Sequence, residues 1–214
     1  VLDATTGGIT ADTTTKVTLT AGTTVDINDS LATSGGGELE INATTLDVDD
    51  SDSDFSLITD GGADAADLDI NANVTLTDNT TFDADAATSD GFIDISGTID
   101  AAAAGVQSLT FNSGEGAVTI SGDLGGTTAL GAVDVNSTAG TMTWDGDIQT
   151  RNANVDFSGV SHAIDVTAND GGDFVIDTDD GAVGVAGNID FSNSTLTADT
   201  TNVTLNATDS NAAN

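Results

Sequence analysis

The chain has 214 residues, of which 36 are acidic and only Lys16 and Arg151 are permanently basic, so its formal net charge is −34 at neutral pH. This charge argues against binding to nucleic acids or anionic membrane surfaces, because almost no basic groups are available to replace phosphate counterions. Cysteine is absent, which excludes disulfides and cysteine metal sites, and no run of 18 apolar residues predicts a membrane-spanning helix. The regular placement of Val, Ile and Leu nevertheless predicts a folded chain rather than a disordered acidic tail.

Short strands recur along the whole chain as a four-residue pattern in which apolar residues alternate with Asp, Glu, Asn or another polar residue. A period of two predicts a β-strand with one buried face and one wet face. In chain order, the clearest examples are residues 25–28, 39–42, 46–49, 68–71, 93–96, 133–136 and 164–167. Turns rich in Gly, Asn and Asp separate the strands, and helix-forming segments are nearly absent.

The strands also repeat with a longer period. An offset of 21 residues separates Ile27 from Val48. Offsets of 20 to 24 residues separate the successive members of the series Ile99, Ile120, Trp144, Ile164, Val185 and Leu205. A period near 20 residues, built from short strands and turns, predicts a right-handed parallel β-helix (a β-solenoid) of about ten turns. With strands about 4.8 Å apart, such a rod would be roughly 45–50 Å long.

Tandem β-sandwiches are the alternative all-β architecture for many short strands with frequent turns. Three features favour the solenoid: aromatic residues are few, proline is absent, and small apolar residues suited to a narrow interior are plentiful. We therefore expect residues 1–214 to form a single elongated solenoid. The sequence fits either a processed mature chain or a segment excised from a longer protein.

Residues 37–43, 116–135 and 146–150 combine short alternating strands with Gly-rich turns. In this composition the chain resembles the repeats of filamentous-haemagglutinin-type adhesins, which are large secreted β-strand-repeat proteins, and autotransporter passengers of Gram-negative bacteria. The resemblance implies an exported fibre at the cell surface or outside the cell, and it names no ligand. The chain is far more acidic than most members of that family.

The acids on the wet face pose an electrostatic problem. In a parallel coil, equivalents such as Asp26, Asp47 and Asp69 would stack about 4.8 Å apart, where two full charges in water repel by roughly 0.9 kcal/mol. Either cations neutralise such a stack, or interspersed Asn and Thr dilute the charge within a diffuse counterion cloud.

Two acidic loops are candidate calcium sites, because Ca²⁺ prefers several carboxylate and carbonyl oxygens at close spacing. The candidate ligands are Asp49, Asp52 and Asp54 in one loop and Asp177, Asp179 and Asp180 in the other. Neither loop has the EF-hand spacing or the nonapeptide of calcium-binding β-rolls. Since Asp is also a common turn residue, a purely structural role for these loops stays open.

Sequons for N-glycosylation are also frequent. Candidate acceptors are Asn28, Asn42, Asn73, Asn79, Asn136, Asn193, Asn202 and Asn206.

The sequence does not predict an enzyme. His162 is the only histidine, and its neighbour Asp165 is explained by the strand pattern. We expect an extracellular or cell-surface structural subunit whose copies assemble head-to-tail into a filament. The alternatives are a stalk segment of a large secreted adhesin and, third, a β-helix enzyme acting on polysaccharides.

Overall fold

A computed structural model describes residues 9–12, 15–49, 54–59, 66–86, 90–166, 173–179, 184–198 and 202–208. This part of the chain is built from strands and contains no helix. The strands are β1 (Ile9–Asp12), β2 (Val17–Thr20), β3 (Thr24–Ile27), β4 (Leu31–Ser34), β5 (Leu39–Val48), β6 (Phe55–Thr59), β7 (Leu68–Leu76), β8 (Thr80–Asp83), β9 (Ile93–Ile95), β10 (Ile99–Ala101), β11 (Leu109–Gly114), β12 (Val118–Ile120), β13 (Val133–Ser137), β14 (Met142–Trp144), β15 (Ile148–Gln149), β16 (Val155–Val160), β17 (Ala163–Asp165), β18 (Phe174–Asp177), β19 (Ile189–Asp190), β20 (Thr195–Thr197) and β21 (Val203–Asn206). Within these ranges no helix is long and apolar enough to cross a membrane.

The chain winds repeatedly over three faces. Face 1 is the sheet β1-β4-β6-β8-β11-β13-β16-β19, and face 2 is the sheet β2-β5-β7-β9-β12-β14-β17-β20. Face 3 is formed by β3, the second halves of β5 and β7, β10, the bridging residue Leu124, β15, β18 and β21. Every strand pair in the described residues is parallel, so the all-β solenoid is confirmed and the alternative of tandem sandwiches is wrong.

One circuit of the three faces is called a rung here. The offset between residues of paired strands ranges from 21, between Ile27 and Val48, to 34, between Val155 and Ile189. The coil therefore has about seven turns. The predicted ten turns were too many, because the corner segments between faces lengthen most rungs beyond 20 residues. At about 4.8 Å per rung the described coil is roughly 35–40 Å long.

The alternating pattern places Val, Ile, Leu and Phe inside the coil and polar residues outside. In β7, for example, Leu68, Ile70, Val74 and Leu76 are buried, while the residues between them are mostly partly or fully exposed. A column of five aromatic rings runs along the interior. Neighbouring ring centroids in the series Phe82, Phe111, Trp144, Phe157 and Phe191 lie 5.0 to 5.9 Å apart, within the range of favourable aromatic contacts.

Glycines form two columns at the corners of successive rungs. Gly122 lies against the carbonyl group of Gly97, and Gly146 lies against that of Gly122. In the second column Gly116 lies against the carbonyl of Gly91, and Gly140 follows. A Cβ atom at these positions would overlap the backbone of the preceding rung, so the tight corners require glycine.

Replacing Gly122 with Ala should destabilise the fold by about 1–3 kcal/mol, because the new methyl group would push two stacked corners apart. The matched control is Gly22→Ala, since a Cβ there meets no atom within 4 Å. The control should melt at the wild-type temperature or slightly above it. Equal melting temperatures for the two variants would contradict the proposed crowding.

Candidate functional site

Acidic side chains on neighbouring rungs form three ladders on the outer surface. The face 2 ladder joins Glu40, Asp69 and Asp94, which are direct partners in β5, β7 and β9. The face 1 ladder joins Asp134, Asp156 and Asp190, and the face 3 ladder joins Asp26 and Asp47. The expected stack of Asp26, Asp47 and Asp69 is therefore only partly correct. The face 3 partner of Asp47 is Thr75, because Asp69 lies on the first half of β7 and belongs to face 2.

Lys16 neutralises one end of the face 2 ladder. Its ammonium group lies 3.3 Å from Glu40 Oε2 and 3.7 Å from Glu38 Oε2. A hydrogen bond from the Asn42 side chain, together with Lys16 and Thr18, lowers the pKa of Glu40 against the opposing effect of burial. Although burial opposes it, the interaction with Glu40 raises the pKa of Lys16. The charge at this end of the ladder is thus partly neutralised.

Among the described residues, the pKa values of four aspartates are raised. Burial, and then the neighbouring Asp69, raises the pKa of Asp94. Burial and Asp156 raise the pKa of Asp134, although a hydrogen bond with Asn136 opposes the change. Burial also raises the pKa of Asp147 and of Asp85, with further contributions from nearby aspartates.

A second group of polar side chains joins the corners of successive rungs. At each of ten positions, a side-chain oxygen on one rung accepts a hydrogen bond from a backbone N–H on the following rung. These corner acceptors are Ser30, Asp67, Asn73, Asn79, Asp90, Asp100, Ser108, Asp123, Asp147 and Asn154. These hydrogen bonds extend the hydrogen-bond pattern of the sheets into the corners, where the backbone turns from one face to the next. Half of the acceptors are aspartates, so several of the acidic residues have a structural use.

A shallow groove of about 200 Å³ crosses face 2 beside the acid ladder. Lys16, Asp67, Asp69 and Asp94 contribute charged groups to it, and Phe92, which is 54% exposed, forms an apolar wall. With carboxylates outnumbering the single ammonium group, the groove favours cationic over anionic groups.

The structure separates the candidate calcium ligands into described and undescribed residues. Asp49 is half-buried, and exposed Asp54 accepts a hydrogen bond from Asn79 Nδ2 at 3.1 Å. Asp177 accepts the backbone N–H of the buried Asp179 at 3.0 Å, which closes a turn. Asp52 and Asp180 lie outside the described residues. Among the residues that are described, no three acidic or histidine side chains form a group that could hold a metal ion, and calcium binding stays a prediction.

Most of the candidate glycosylation sites take part in contacts between rungs. Asn136 donates to Asn112 Oδ1 at 3.1 Å, and Asn202 donates to Asp173 Oδ1 at 2.7 Å. The remaining candidates are spread over the coil: Asn28 after β3, Asn42 in β5, Asn73 in β7, Asn79 before β8, Asn193 before β20 and Asn206 at the end of β21. Glycosylation stays a prediction, and the contacts give these asparagines a structural role.

The structure brings His162 next to Ser137, a pair that the sequence analysis did not identify. Ser137 Oγ lies 2.9 Å from His162 Nε2, while His162 Nδ1 faces the backbone oxygen of Ala163 at 3.1 Å. Ser137 is fully buried and also donates to the backbone oxygen of Ala139 at 3.0 Å. The contact therefore joins two rungs and does not present a nucleophile at the surface.

The two ends of the described coil expose part of the apolar core. At one end Ile9, Val17 and Leu19 are only half-buried. At the other end the half-buried or exposed apolar residues are Ile189, Phe191, Leu196, Val203 and Leu205, the last being 49% exposed. The terminal strands β1, β2 and β3, and likewise β19, β20 and β21, each pair with a neighbour on one side only among the described strands.

Comparisons with family models, curated proteins and solved structures give no match to this chain.

Asp147 offers a test of the corner acceptors, because its Oδ1 accepts the N–H of Val175 at 2.8 Å. Asp147→Asn keeps an acceptor and removes a charge close to Asp123 and Asp173, so its melting temperature should equal or exceed that of the wild type. Asp147→Ala removes the acceptor as well and should be less stable than Asp147→Asn by about 1 kcal/mol, as measured by urea unfolding. The absence of a difference between the two variants would show that the corner hydrogen bond does not stabilise the coil.

The raised pKa values of Asp85, Asp94, Asp134 and Asp147 predict that acidification stabilises the fold. A carboxyl whose pKa is higher in the folded chain binds its proton more tightly there, so its destabilising effect disappears as the pH falls toward and through the folded pKa. The melting temperature should therefore rise as the pH falls from about 7 toward about 4, the ordinary pKa of an aspartate, at low ionic strength. Glu40 has the opposite dependence, because its lowered pKa contributes stability that is lost as the pH falls below the ordinary pKa of a glutamate.

The double variant Asp94→Asn/Asp134→Asn serves as the control for this titration. It should show a smaller rise in melting temperature over the same interval, because two of the responsible groups no longer titrate. A wild-type melting temperature that falls over this interval would contradict the assignment.

Proposed function

We propose that the protein is an extracellular structural subunit whose copies stack end to end into a filament. The observation that carries this proposal is the incomplete burial of the core at both ends of the coil. Leu205 is 49% exposed, and Leu196 and Val17 are half-buried, whereas their counterparts on interior rungs, such as Met142 and Ile148, are 1% exposed. The partly buried apolar residues packed against the core belong to the end rungs, apart from Ala43.

At both ends of the coil, the terminal parallel strands pair on one side only among the described residues, which supports the same proposal. A strand with a free edge presents backbone N–H and C=O groups that a further strand would satisfy. The two ends are different surfaces, so the contact between copies is heterologous, and heterologous contacts that do not close into a ring generate open filaments. The stacking proceeds along the axis on which the rungs already repeat.

The acid on the outer faces suits a structural role outside the cell. A net charge of −34 keeps a long fibre soluble and repels neighbouring fibres. The outer surface of the described coil is lined by Asp, Asn and Thr in alternation with the core residues. An exported location also agrees with the resemblance to secreted β-strand-repeat adhesins.

Electron microscopy of the purified chain tests the proposal. We expect filaments with an axial repeat of roughly 35–40 Å, the length of the described coil at about 4.8 Å per rung. Leu205→Glu should raise the protein concentration needed for filaments about tenfold, since it places a charge where apolar burial would contribute at least ~1.4 kcal/mol. The control is Val106→Glu, because Val106 is 62% exposed in the middle of the coil and should tolerate the same change. Monodisperse short rods at all concentrations would overturn the proposal and favour the stalk segment of a large adhesin.

A further inference from the structure

We infer that the junction between copies continues the coil in register, with β20 and β21 of one copy pairing with β2 and β3 of the next. This inference rests on the proposed filament and specifies its contact surface. Leu196 would lie beside Val17 of the next copy, and Leu205 beside its Val25. The occupant of each free end is thus a second copy of this chain in one defined orientation.

The register follows from the partners that each rung already has. On face 2 the inward position passes from rung to rung through Val17, Leu39, Leu68, Ile93, Val118, Met142, Ile164 and Leu196. On face 3 it passes through Val25, Leu46, Val74, Ile99, Leu124, Ile148, Ile176 and Leu205. The last residue of each series therefore occupies the same place in its rung as the first. A slip of one residue would turn the apolar side chains outward, so the register is well specified.

The outward side chains favour the same contact. Within the coil, acid meets acid at the Glu40–Asp69, Asp69–Asp94 and Asp26–Asp47 steps. At the junction, the outward partner of Thr197 would be Thr18. The same register places Asn206 beside Asp26. Neither step juxtaposes two carboxylates, so the junction avoids the repulsion of roughly 0.9 kcal/mol that an acid pair would add at this spacing.

Charge complementarity with a different partner is less favourable at these ends. A basic protein would find more carboxylates on the sides of the coil, at the face 2 ladder and its groove. The end rungs instead carry Thr18, Thr20, Thr195 and Thr197 on face 2. Threonine pairs well across neighbouring strands and stabilises sheets. The end surfaces are therefore suited to strand pairing with a surface of their own kind.

Engineered cysteines test the register, because the chain has no cysteine of its own. Thr18 and Thr197 are both exposed, and neighbouring Cα atoms in the proposed register would lie about 5 Å apart, within the range for a disulfide. The variant Thr18→Cys/Thr197→Cys should form a ladder of covalent oligomers on mild oxidation, seen on non-reducing gels and removed by a reductant. An equimolar mixture of the two single variants should give dimers only.

Three matched controls distinguish the other contacts. Thr18→Cys alone would cross-link if the contact were head-to-head, and Thr197→Cys alone if it were tail-to-tail. Thr18→Cys/Asn206→Cys would cross-link if the next copy were rotated by one face. We expect several-fold less covalent product from each control than from the matched pair.

The outcomes separate the inference from the proposed function. Filaments that form without cross-linking of the matched pair, or with more cross-linking of any control, would overturn the register and leave the filament in place. An absence of both filaments and cross-links in wild type and variants, with an unchanged melting temperature, would overturn the filament and the register together.

Discussion

The whole structure depends on the parallel stacking of rungs about 4.8 Å apart, which places each residue beside its counterpart one rung away. For apolar residues this constraint is favourable, because Leu39, Leu68 and Ile93 bury one another in a continuous column. For the backbone it is demanding at the corners, where only glycine allows carbonyl groups such as those of Gly97 and Gly122 to approach so closely. For carboxylates it is costly, since neighbouring rungs bring like charges together.

The chain meets this electrostatic cost in two ways. On the outer side of face 2, Thr18 precedes the acid ladder and Thr119 follows it, so acidic neighbours are confined to a short stretch. The first acid of this stretch, Glu40, contacts Lys16. At the corners, aspartates such as Asp147 accept N–H groups of the next rung. This hydrogen bond favours the charged carboxylate, although burial still raises the pKa of Asp147. Some of the acidic residues are therefore a consequence of the fold, because these corners use side-chain acceptors where the turning backbone does not provide one.

The alternation of buried and exposed residues in the strands could be predicted from the sequence. The residues that pair between successive rungs could be predicted only in part. The offsets from Ile27 to Val48 and from Ile120 to Trp144 are true register pairs. The other four steps are wrong. Ile99 pairs with Leu124 and not with Ile120. Ile164 pairs with Met142 and Leu196, and Leu205 pairs with Ile176. Val185 is 80% exposed. A constant sequence period does not locate paired residues when the corners differ in length. Because each rung has three faces, several apolar residues are also possible partners for each residue of the preceding rung. The corner acceptors were missed for a related reason: Asp is common in all turns, and only the register identifies the N–H that it accepts.

Charge and geometry together restrict where two copies of such a coil make contact. Lateral association would bring acidic sides together over their full length at a sheet spacing of roughly 10 Å. This distance is comparable with the Debye length of about 8–10 Å, so salt screens the repulsion only in part. Within the described part of the chain, the ends carry fewer acids and a less buried core. Leu205 and Leu196 there lie next to strand edges that pair on one side. A further rung added at an end would make the same contacts that neighbouring rungs already make within the coil. A lateral contact between two coils would repeat none of these contacts. Growth along the axis is accordingly the mode of association that both the apolar and the electrostatic terms favour.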